Sequence, residues 1–113
     1  MDYGYKITTK ARRDLVGIWK YIAGDDASNA SRFCLELLLA AESLQTFPYR
    51  HGTFAYRDGA RKYPFRSYLI LYEVDETSRT VEILRFWHAA RDQRRLRLKE
   101  EAPAYGLSPQ PVS

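Results

Sequence analysis

The stretch RFWHAARD, residues Arg85 to Asp92, contains the side chains of this chain that are best suited to chemistry. His88 can donate or accept a proton near neutral pH, because the unperturbed pKa of histidine is about 6.5. Arg85 and Arg91 flank it and can interact with negative charge. The residues alone leave three interpretations open: a catalytic site, a contact surface for a nucleic acid or a protein, and the end of a strand where His88 has a structural role.

Other kinds of chemical site have little support in the sequence. His51 is distant in sequence from His88 and Cys34 is the single cysteine, so no metal-ligand spacing is present. No glycine-rich phosphate loop occurs, and the sequence predicts neither a metal nor a cofactor. Cys34 lies on the apolar stripe of a predicted helix and is interpreted as core. Trp19 also fits core packing.

Composition indicates one soluble domain, since the chain has 113 residues of which 45% are hydrophobic. No segment approaches the roughly 20 apolar residues needed to cross a bilayer, and the N-terminus lacks the apolar core of a signal peptide. We therefore predict a cytoplasmic protein without membrane contact. The net charge is +4, and basic residues gather in the ranges 57–66 and 85–99. This surface is either simply solvated or attracts phosphates or an acidic protein.

Two helices are predicted before the strands that carry these residues. Residues 5–8 form a short first strand, and Thr9 can cap a helix over residues 10–23. Asp14 falls on the polar side of that helix, opposite the core-facing stripe. Asp26 or Ser28 can cap the second helix, which is predicted to run to about residue 46. The break between the helices is short, so they should form an antiparallel hairpin.

The second predicted helix is more hydrophobic than a helix with one buried side requires. Leu35 and Leu39 add apolar surface beside its main stripe. This additional surface is either covered by the sheet or available to a partner.

Three strand-like segments follow the helices. Residues 60–65 contain Pro64, which places this segment at a sheet edge or a bulge. Residues 68–75 and 80–87 are strongly apolar strands joined by a hairpin turn. Good helix formers after His88 predict a C-terminal helix. The order strand-helix-helix-strand-strand-strand predicts an α+β fold, with the helical hairpin on one face of a mainly antiparallel sheet. We assign residues 1–101 to the domain and residues 102–113 to a loose tail.

With its predicted strands and helices in this order and at this spacing, the chain resembles the ParE/RelE superfamily of bacterial toxin–antitoxin modules over about residues 3–92. The segments YKITTKARRDLVGIWKYIA and ASRFCLELLLAAESLQTFP resemble the first strand and the two helices of that superfamily. YLILYEVD followed by ILRFWHAARD resembles the last two strands, in the form typical of the ParE branch rather than the RelE branch.

The resemblance implies a small toxin that is neutralised by a cognate, ParD-like antitoxin. ParE-type toxins are associated with inhibition of DNA gyrase, plasmid stabilisation and growth arrest, whereas RelE-type toxins are ribosome-dependent endoribonucleases that cleave mRNA. We predict a non-enzymatic gyrase inhibitor. The alternative is a RelE-like endoribonuclease, and a third possibility is a degenerate toxin fold that is kept only as a binding module.

The nuclease alternative requires a base, an acid and cations around one phosphate. His88 would be the acid and Glu73 or Glu82 the base, while the cations would come from Arg61, Lys62, Arg66 and Arg85. Nucleases of the superfamily commonly carry an arginine in the third strand, and this chain has Leu69 in the corresponding position. Arg66 is offset from that position by three residues.

Under the favoured interpretation the same region is a surface for the target or the antitoxin. Trp87 ends a strand and is expected to be partly exposed. An acidic, amphipathic antitoxin segment is expected to pack on the helical hairpin and to reach the sheet end. The predicted contact residues are Leu35, Leu39, Arg61, Lys62, Arg85, Trp87, His88 and Arg91.

Overall fold

The elements follow the predicted order along the chain. Strand β1 is followed by helices α1 and α2 and then by strands β2, β3 and β4. The computed structural model describes residues 2–96. Its elements are β1 (Gly4–Ile7), α1 (Thr9–Ala23), α2 (Ala27–Glu42), β2 (Ala60–Phe65), β3 (Tyr68–Asp75) and β4 (Thr80–His88).

The four strands form one sheet in the order β1-β4-β3-β2. β1 is parallel to β4, and the other two pairings are antiparallel. Pro64 therefore lies on an edge strand, as predicted, where its missing N–H interrupts no central ladder. The register between β3 and β4 shifts at Leu71 and Tyr72, which leaves Leu84 as an extra residue on β4.

Helix α1 is capped one residue earlier than predicted. The Oγ1 atom of Thr8, not Thr9, accepts a hydrogen bond from the amide of Ala11 at 3.1 Å. The same hydroxyl donates to the carbonyl of Leu84 at 3.1 Å. Thr8 thus joins the start of α1 to the central strand β4. Asp26, one of the two predicted caps, caps α2 by accepting from the amide of Asn29.

Helix α2 is shorter than predicted, because it ends at Glu42 and gives way to a 3-10 helix at Ser43–Gln45. The Ser43 hydroxyl donates to the carbonyl of Ala40 at 2.6 Å, a local bond that competes with regular helix. The guanidinium of Arg50 binds the carbonyl oxygens of Ser43 and Thr46. These carbonyls are therefore satisfied without a further α-helical turn.

The predicted C-terminal helix does not form within the described residues. β4 continues through His88, and the amide of Ala89 still donates to Ser67 at 2.8 Å. The amide of Ala90 donates to Nδ1 of His88, so the extended path of β4 is followed by a local turn at this point. A single 3-10 turn occupies residues 93–96. The remainder of that helix and the 102–113 tail lie outside the described residues, and the domain division remains a prediction.

The sheet separates two apolar clusters. On the helix-covered face, α1 and α2 pack against Ile70, Tyr72 and Phe86 of the sheet. The opposite face carries a smaller cluster, to which the loop before β2 contributes Phe54. Its buried members are Phe54, Ala60, Leu69, Leu71, Leu84, Trp87 and Leu96. Within residues 2–96, neither helix has the length and hydropathy that crossing a membrane requires.

Candidate functional site

Arg85 is held by an acidic partner from α1. Its Nε and Nη2 atoms donate to the two carboxylate oxygens of Asp14 at 2.7 and 2.9 Å. The carboxylate also accepts the amide of Phe86 at 3.0 Å. The side chains of Arg85 and Asp14 are only 15% and 14% exposed, so the predicted solvent-facing position of Asp14 is wrong. Arg85 is therefore a compensated, mostly buried cation.

Trp87 belongs to the core, because it is 2% exposed. The expectation of a partly exposed side chain is wrong. Its ring lies between two arginines, with the guanidinium carbons of Arg85 and Arg91 at 5.1 and 4.0 Å from the ring centroid. Its Nε1 donates to the carbonyl of Arg91 at 3.4 Å. Trp87 thus supports the exposed Arg91 from below rather than contacting a partner itself.

His88 is exposed at the end of β4. Its Nδ1 accepts the amide of Ala90 at 3.1 Å. Its ring meets that of Tyr68 edge-on at 5.0 Å. The structural role that was one of the three interpretations is thus present, because the ring accepts a backbone amide.

The basic residues around β2 also have partners. Arg61 donates to the carbonyl of His51 at 2.7 Å and lies 4.9 Å from the ring centroid of Tyr49. Arg66 is in the turn between β2 and β3, with a positive φ of 54°, rather than in a strand. It forms an ion pair with Glu36 at 2.7 Å. Lys62 lies on β2 opposite Leu71.

The strand register shows that the nuclease candidates do not converge. Side chains alternate between the faces of a strand, so Arg85 and His88, three positions apart, lie on opposite faces. Arg61 pairs with Tyr72 and His88 pairs with Tyr68. These positions differ by about 13 Å along the strands and by about 10 Å across them.

The two candidate bases lie on the face opposite His88. Glu73 and Glu82 face each other across β3 and β4. Glu73 forms an ion pair with Arg57 at 3.4 Å, and Glu82 forms one with Lys6 at 3.7 Å. A proton donor at His88 and a proton acceptor at either glutamate therefore cannot act on one phosphate in this arrangement.

The position of the expected third-strand arginine is apolar and covered. Leu69 is 5% exposed and packs in the cluster of the opposite face. A cavity of about 350 Å³ opens beside that cluster, with Leu71 and Leu84 among its lining residues and Lys10, Arg57 and Arg85 adding positive charge. This face combines an apolar floor with cations that have protein partners.

The outer side of the helical hairpin carries the apolar surface predicted from Leu35 and Leu39, which are 56% and 53% exposed. The sheet does not cover this side. Val16 and Trp19 of α1 are also exposed, so the placement of Trp19 in the core is wrong. The Trp19 indole donates to Ser31 of α2 at 3.1 Å, which joins the two helices. We call Val16, Trp19, Leu35 and Leu39 the hairpin patch.

A groove between α1 and the end of β4 was not identified from the sequence. It has a volume of about 450 Å³. Its lining residues are Arg13, Asp14, Gly17, Ile18, Tyr21, Tyr68, Phe86, His88 and Arg91. The available sequence signal was Gly17, because a glycine inside a helical pattern costs about 1 kcal/mol relative to alanine. Tyr21, at 82% exposure, is the most exposed aromatic side chain of this rim.

A polar cluster joins the N-terminus, the loop before β2 and the β3–β4 turn. Glu76 accepts hydrogen bonds from the hydroxyls of Tyr3 and Tyr49 and pairs with Arg79 at 3.6 Å. These hydrogen bonds lower the pKa of Glu76 and raise that of Tyr49 to about 12. Burial, with a smaller contribution from Arg50, lowers the pKa of His51. The hydrogen bonds of this cluster stabilise the loop. Among the described residues, its side chains are not arranged as an acid, a base and a nucleophile would be.

Metal chemistry has no geometric support in residues 2–96, where His, Cys, Asp and Glu side chains form no group of three suited to a metal ion. Burial raises the pKa of the Cys34 thiol. Cys34 is 8% exposed and its Sγ lies 4.0 Å from the carbonyl oxygen of Leu15, as a core residue would.

Comparison with known proteins gives one family match. A family described as the ParE toxin of the type II toxin-antitoxin system, parDE, matches residues 5–93. A chain of the chromosomal ParDE TA system of P. aeruginosa is similar in structure, with a TM-score of 0.67, 20% identity and coverage of 76% of this chain and 95% of that chain. A chain of the toxin-antitoxin complex RelBE2 of Mycobacterium tuberculosis has a TM-score of 0.61, 28% identity and coverage of 78% and 99%. No curated protein matches.

Proposed function

Because this chain belongs to the ParE toxin family of type II toxin–antitoxin systems, we propose that it is a toxin that inhibits DNA gyrase by binding and is neutralised by a cognate antitoxin. The observation that carries this proposal is the dispersal of the candidate catalytic groups over two faces of the sheet. A toxin that acts by binding its target needs an exposed contact surface. A nuclease needs its acid, base and cations to lie around one phosphate.

The ion pairs that the arginines form within the protein support a function in binding rather than in catalysis. Arg85 and Arg66 are each paired with a carboxylate. A cation that is already neutralised adds less to the stabilisation of a phosphorane than a preorganised, unpaired cation. The exposed Arg91 and the half-buried Lys62 remain suited to docking on an acidic protein surface.

The hairpin patch supports an antitoxin partner. Large apolar side chains exposed on two helices that pack together are typical of a surface that a partner covers. The two similar solved structures come from toxin–antitoxin systems. We assign the antitoxin's amphipathic segment to this patch, with Arg91 and His88 at the sheet end as the basic part of the contact.

The antitoxin assignment predicts a large loss of affinity when charge enters the patch. Covering the exposed halves of Leu35 and Leu39 contributes roughly 2 kcal/mol, so Leu35→Glu with Leu39→Glu should weaken binding at least about 30-fold. Phe47→Glu, at a 78% exposed apolar side chain in the loop, is the control for placing a negative charge on exposed apolar surface outside the patch. Titration calorimetry with the cognate antitoxin measures the difference. Unchanged affinity in the double variant would place the antitoxin elsewhere.

The second candidate function is RelE-like mRNA cleavage, which the 28% identity to a chain of the RelBE2 complex favours. Purified toxin should be tested for inhibition of gyrase supercoiling and, in parallel, for ribosome-dependent cleavage of mRNA. We expect loss of supercoiling and intact mRNA. Cleavage that His88→Ala abolishes would reject the gyrase proposal in favour of the nuclease. Expression without growth arrest would instead indicate a binding module that has lost toxicity.

A further inference from the structure

The loop after α2 holds a phenylalanine in an unfavourable backbone conformation. Phe47 has a φ of 52°, in the left-handed region that bulky side chains rarely adopt. Its side chain is 78% exposed, so burial of the ring within residues 2–96 offsets little of this cost. A glycine or an asparagine would adopt the same backbone with less strain. A strained residue that the fold does not need in its core points to a role in function.

Hydrogen bonds fix the backbone on both sides of this phenylalanine. The guanidinium of Arg50 donates to the carbonyl of Phe47 at 3.3 Å. The hydroxyl of Tyr72, which is buried in the sheet, donates to the carbonyl of Pro48 at 2.7 Å. We call residues 46–50 the Phe47 loop. Because the backbone of this loop is already held in place, little conformational entropy remains to be lost when a partner binds the exposed ring.

The side chains beside Phe47 add a second aromatic ring and positive charge. Tyr49 is 47% exposed, and the guanidinium carbon of Arg61 lies 4.9 Å from its ring centroid. Arg50 and Arg61 donate to backbone carbonyls, and neither forms an ion pair within residues 2–96. A cavity of about 400 Å³ next to Phe47 and Tyr49 leaves room for a side chain of a partner. Asp2 is the one carboxylate among the described lining residues of this cavity.

The shape and charge of the Phe47 loop specify a folded partner. An aromatic side chain that projects from a fixed backbone is the kind of anchor that fills a pocket on another protein and dominates the binding energy. An antitoxin segment that folds on binding offers no preformed pocket, and it suits a flat apolar surface such as the hairpin patch. The positive charge of Arg50 and Arg61 favours carboxylates around the pocket. The loop therefore fits the target of the toxin better than its antitoxin.

We infer that Phe47 is the aromatic anchor by which the toxin binds its target protein, and that the target presents an apolar pocket with carboxylates at its rim. The inference rests on the proposed function, in which the target is DNA gyrase. It assigns target binding to the Phe47 loop and leaves the antitoxin's amphipathic segment on the hairpin patch. The two partners would then contact different side chains of the toxin.

Replacing Phe47 by glycine separates the contact from the fold. Phe47→Gly removes the ring, but its urea midpoint should not fall, because relief of the positive φ offsets the greater freedom of the unfolded chain. The toxin concentration that half-inhibits gyrase supercoiling should rise at least about tenfold. Tyr21→Ala is the matched control, because it removes a similarly exposed aromatic side chain from α1 and should leave inhibition unchanged. Equal inhibition by the wild type and Phe47→Gly would overturn the inference.

Antitoxin affinity is the second readout for the same variant. Phe47→Gly should bind the cognate antitoxin as tightly as the wild type does, which also shows that the variant is folded. A loss of antitoxin affinity in a stably folded Phe47→Gly would assign the loop to the antitoxin and reject the inference. A wild-type toxin that inhibits gyrase equally well without the ring removes this inference alone. A wild-type toxin that does not inhibit gyrase removes the proposed function as well.

A change at Asp2 tests the charge of the target's pocket. Asp2→Asn removes the negative charge beside the cavity and keeps the side-chain oxygen that accepts from the Thr46 hydroxyl at 3.0 Å. Gyrase binding should strengthen about two- to threefold at low salt, because a carboxylate no longer faces the carboxylates of the rim. Asp25→Asn is the matched control, since it removes the same charge from the exposed break between α1 and α2. Equal effects of the two variants would reject the acidic rim.

Discussion

Asp14 is expected to be the most sensitive polar position of the fold. Its carboxylate binds two nitrogens of Arg85 and the Phe86 amide in a site where both side chains are about 85% buried. Asp14→Ala leaves a mostly buried guanidinium uncompensated, which costs about 3–5 kcal/mol. The Nη1 atom of Arg85 is already buried without a hydrogen-bond partner in residues 2–96, so little compensation is available. We expect a loss of about 3–4 kcal/mol.

A short series of variants separates the charge from the hydrogen bond. Asp14→Asn keeps an oxygen for the Phe86 amide and removes the negative charge, so it should cost about 2 kcal/mol. Adding Arg85→Met to Asp14→Asn removes the unpaired cation and should recover most of that loss, because the buried charge without a counter-ion is the costly part of the single variant. The coupling between the two positions should then exceed about 1 kcal/mol.

Urea denaturation monitored by circular dichroism measures these differences. The control is Lys6→Gln, which removes the exposed pair with Glu82, whose nitrogen–oxygen distance is 3.7 Å and whose side chains are 64% and 35% exposed. That change should cost less than about 1 kcal/mol. If Asp14→Ala lowered the free energy of unfolding by less than about 1 kcal/mol, as the control does, the reasoning that burial makes the Asp14–Arg85 pair costly to break would be refuted.

Two further outcomes follow from shifted pKa values. The pKa of Glu76 lies below its usual value of 4.5, because the hydroxyls of Tyr3 and Tyr49 bind the carboxylate. Because the pKa of Glu76 is lower in the folded state than in the unfolded state, its ionised carboxylate stabilises the fold above pH 4.5. This stability is lost as the pH falls through the pKa of the folded state. Urea midpoints at neutral and acidic pH should therefore fall less for Glu76→Gln than for the wild type. Burial raises the pKa of the Cys34 thiol. A thiol reagent at neutral pH should therefore label Cys34 at least about tenfold more slowly than it labels a small free thiol. Rapid labelling of the folded protein would contradict that burial.

The elements that the sequence predicts well are those with strong local signals. Strand β3 has the predicted bounds, because an apolar run ends at a hairpin turn. Pro64 places β2 at an edge through its missing N–H. The surplus of leucines on α2 predicts apolar surface beyond one stripe, and Leu35 and Leu39 are exposed. Each of these features depends on residues that are close in sequence.

The features that sequence patterns do not predict depend on distant residues. Asp14 looks like a solvent-facing helix residue until β4, 71 residues later, brings Arg85 beside it. Trp87 looks like a strand end, but the opposite-face cluster covers it. The groove beside Gly17 exists because β1 is shorter than β4, which is a property of the register. The candidate site therefore depends on contacts between residues that are distant in sequence more than on any local sequence motif.

The place of β4 between β1 and β3 sets the order in which the fold can be completed during synthesis. β4 is the last described strand to leave the ribosome, yet it provides the backbone partners of the first strand. Until residues 80–88 emerge, β1 has no neighbour and the core of the hairpin lacks Val81, Ile83 and Phe86. Because long-range pairings of this kind form late, a nascent chain cannot present the finished surface. A translation product that stops before residue 80 should therefore lack the folded sheet, so the finished surface exists only after nearly all of the described residues have been made.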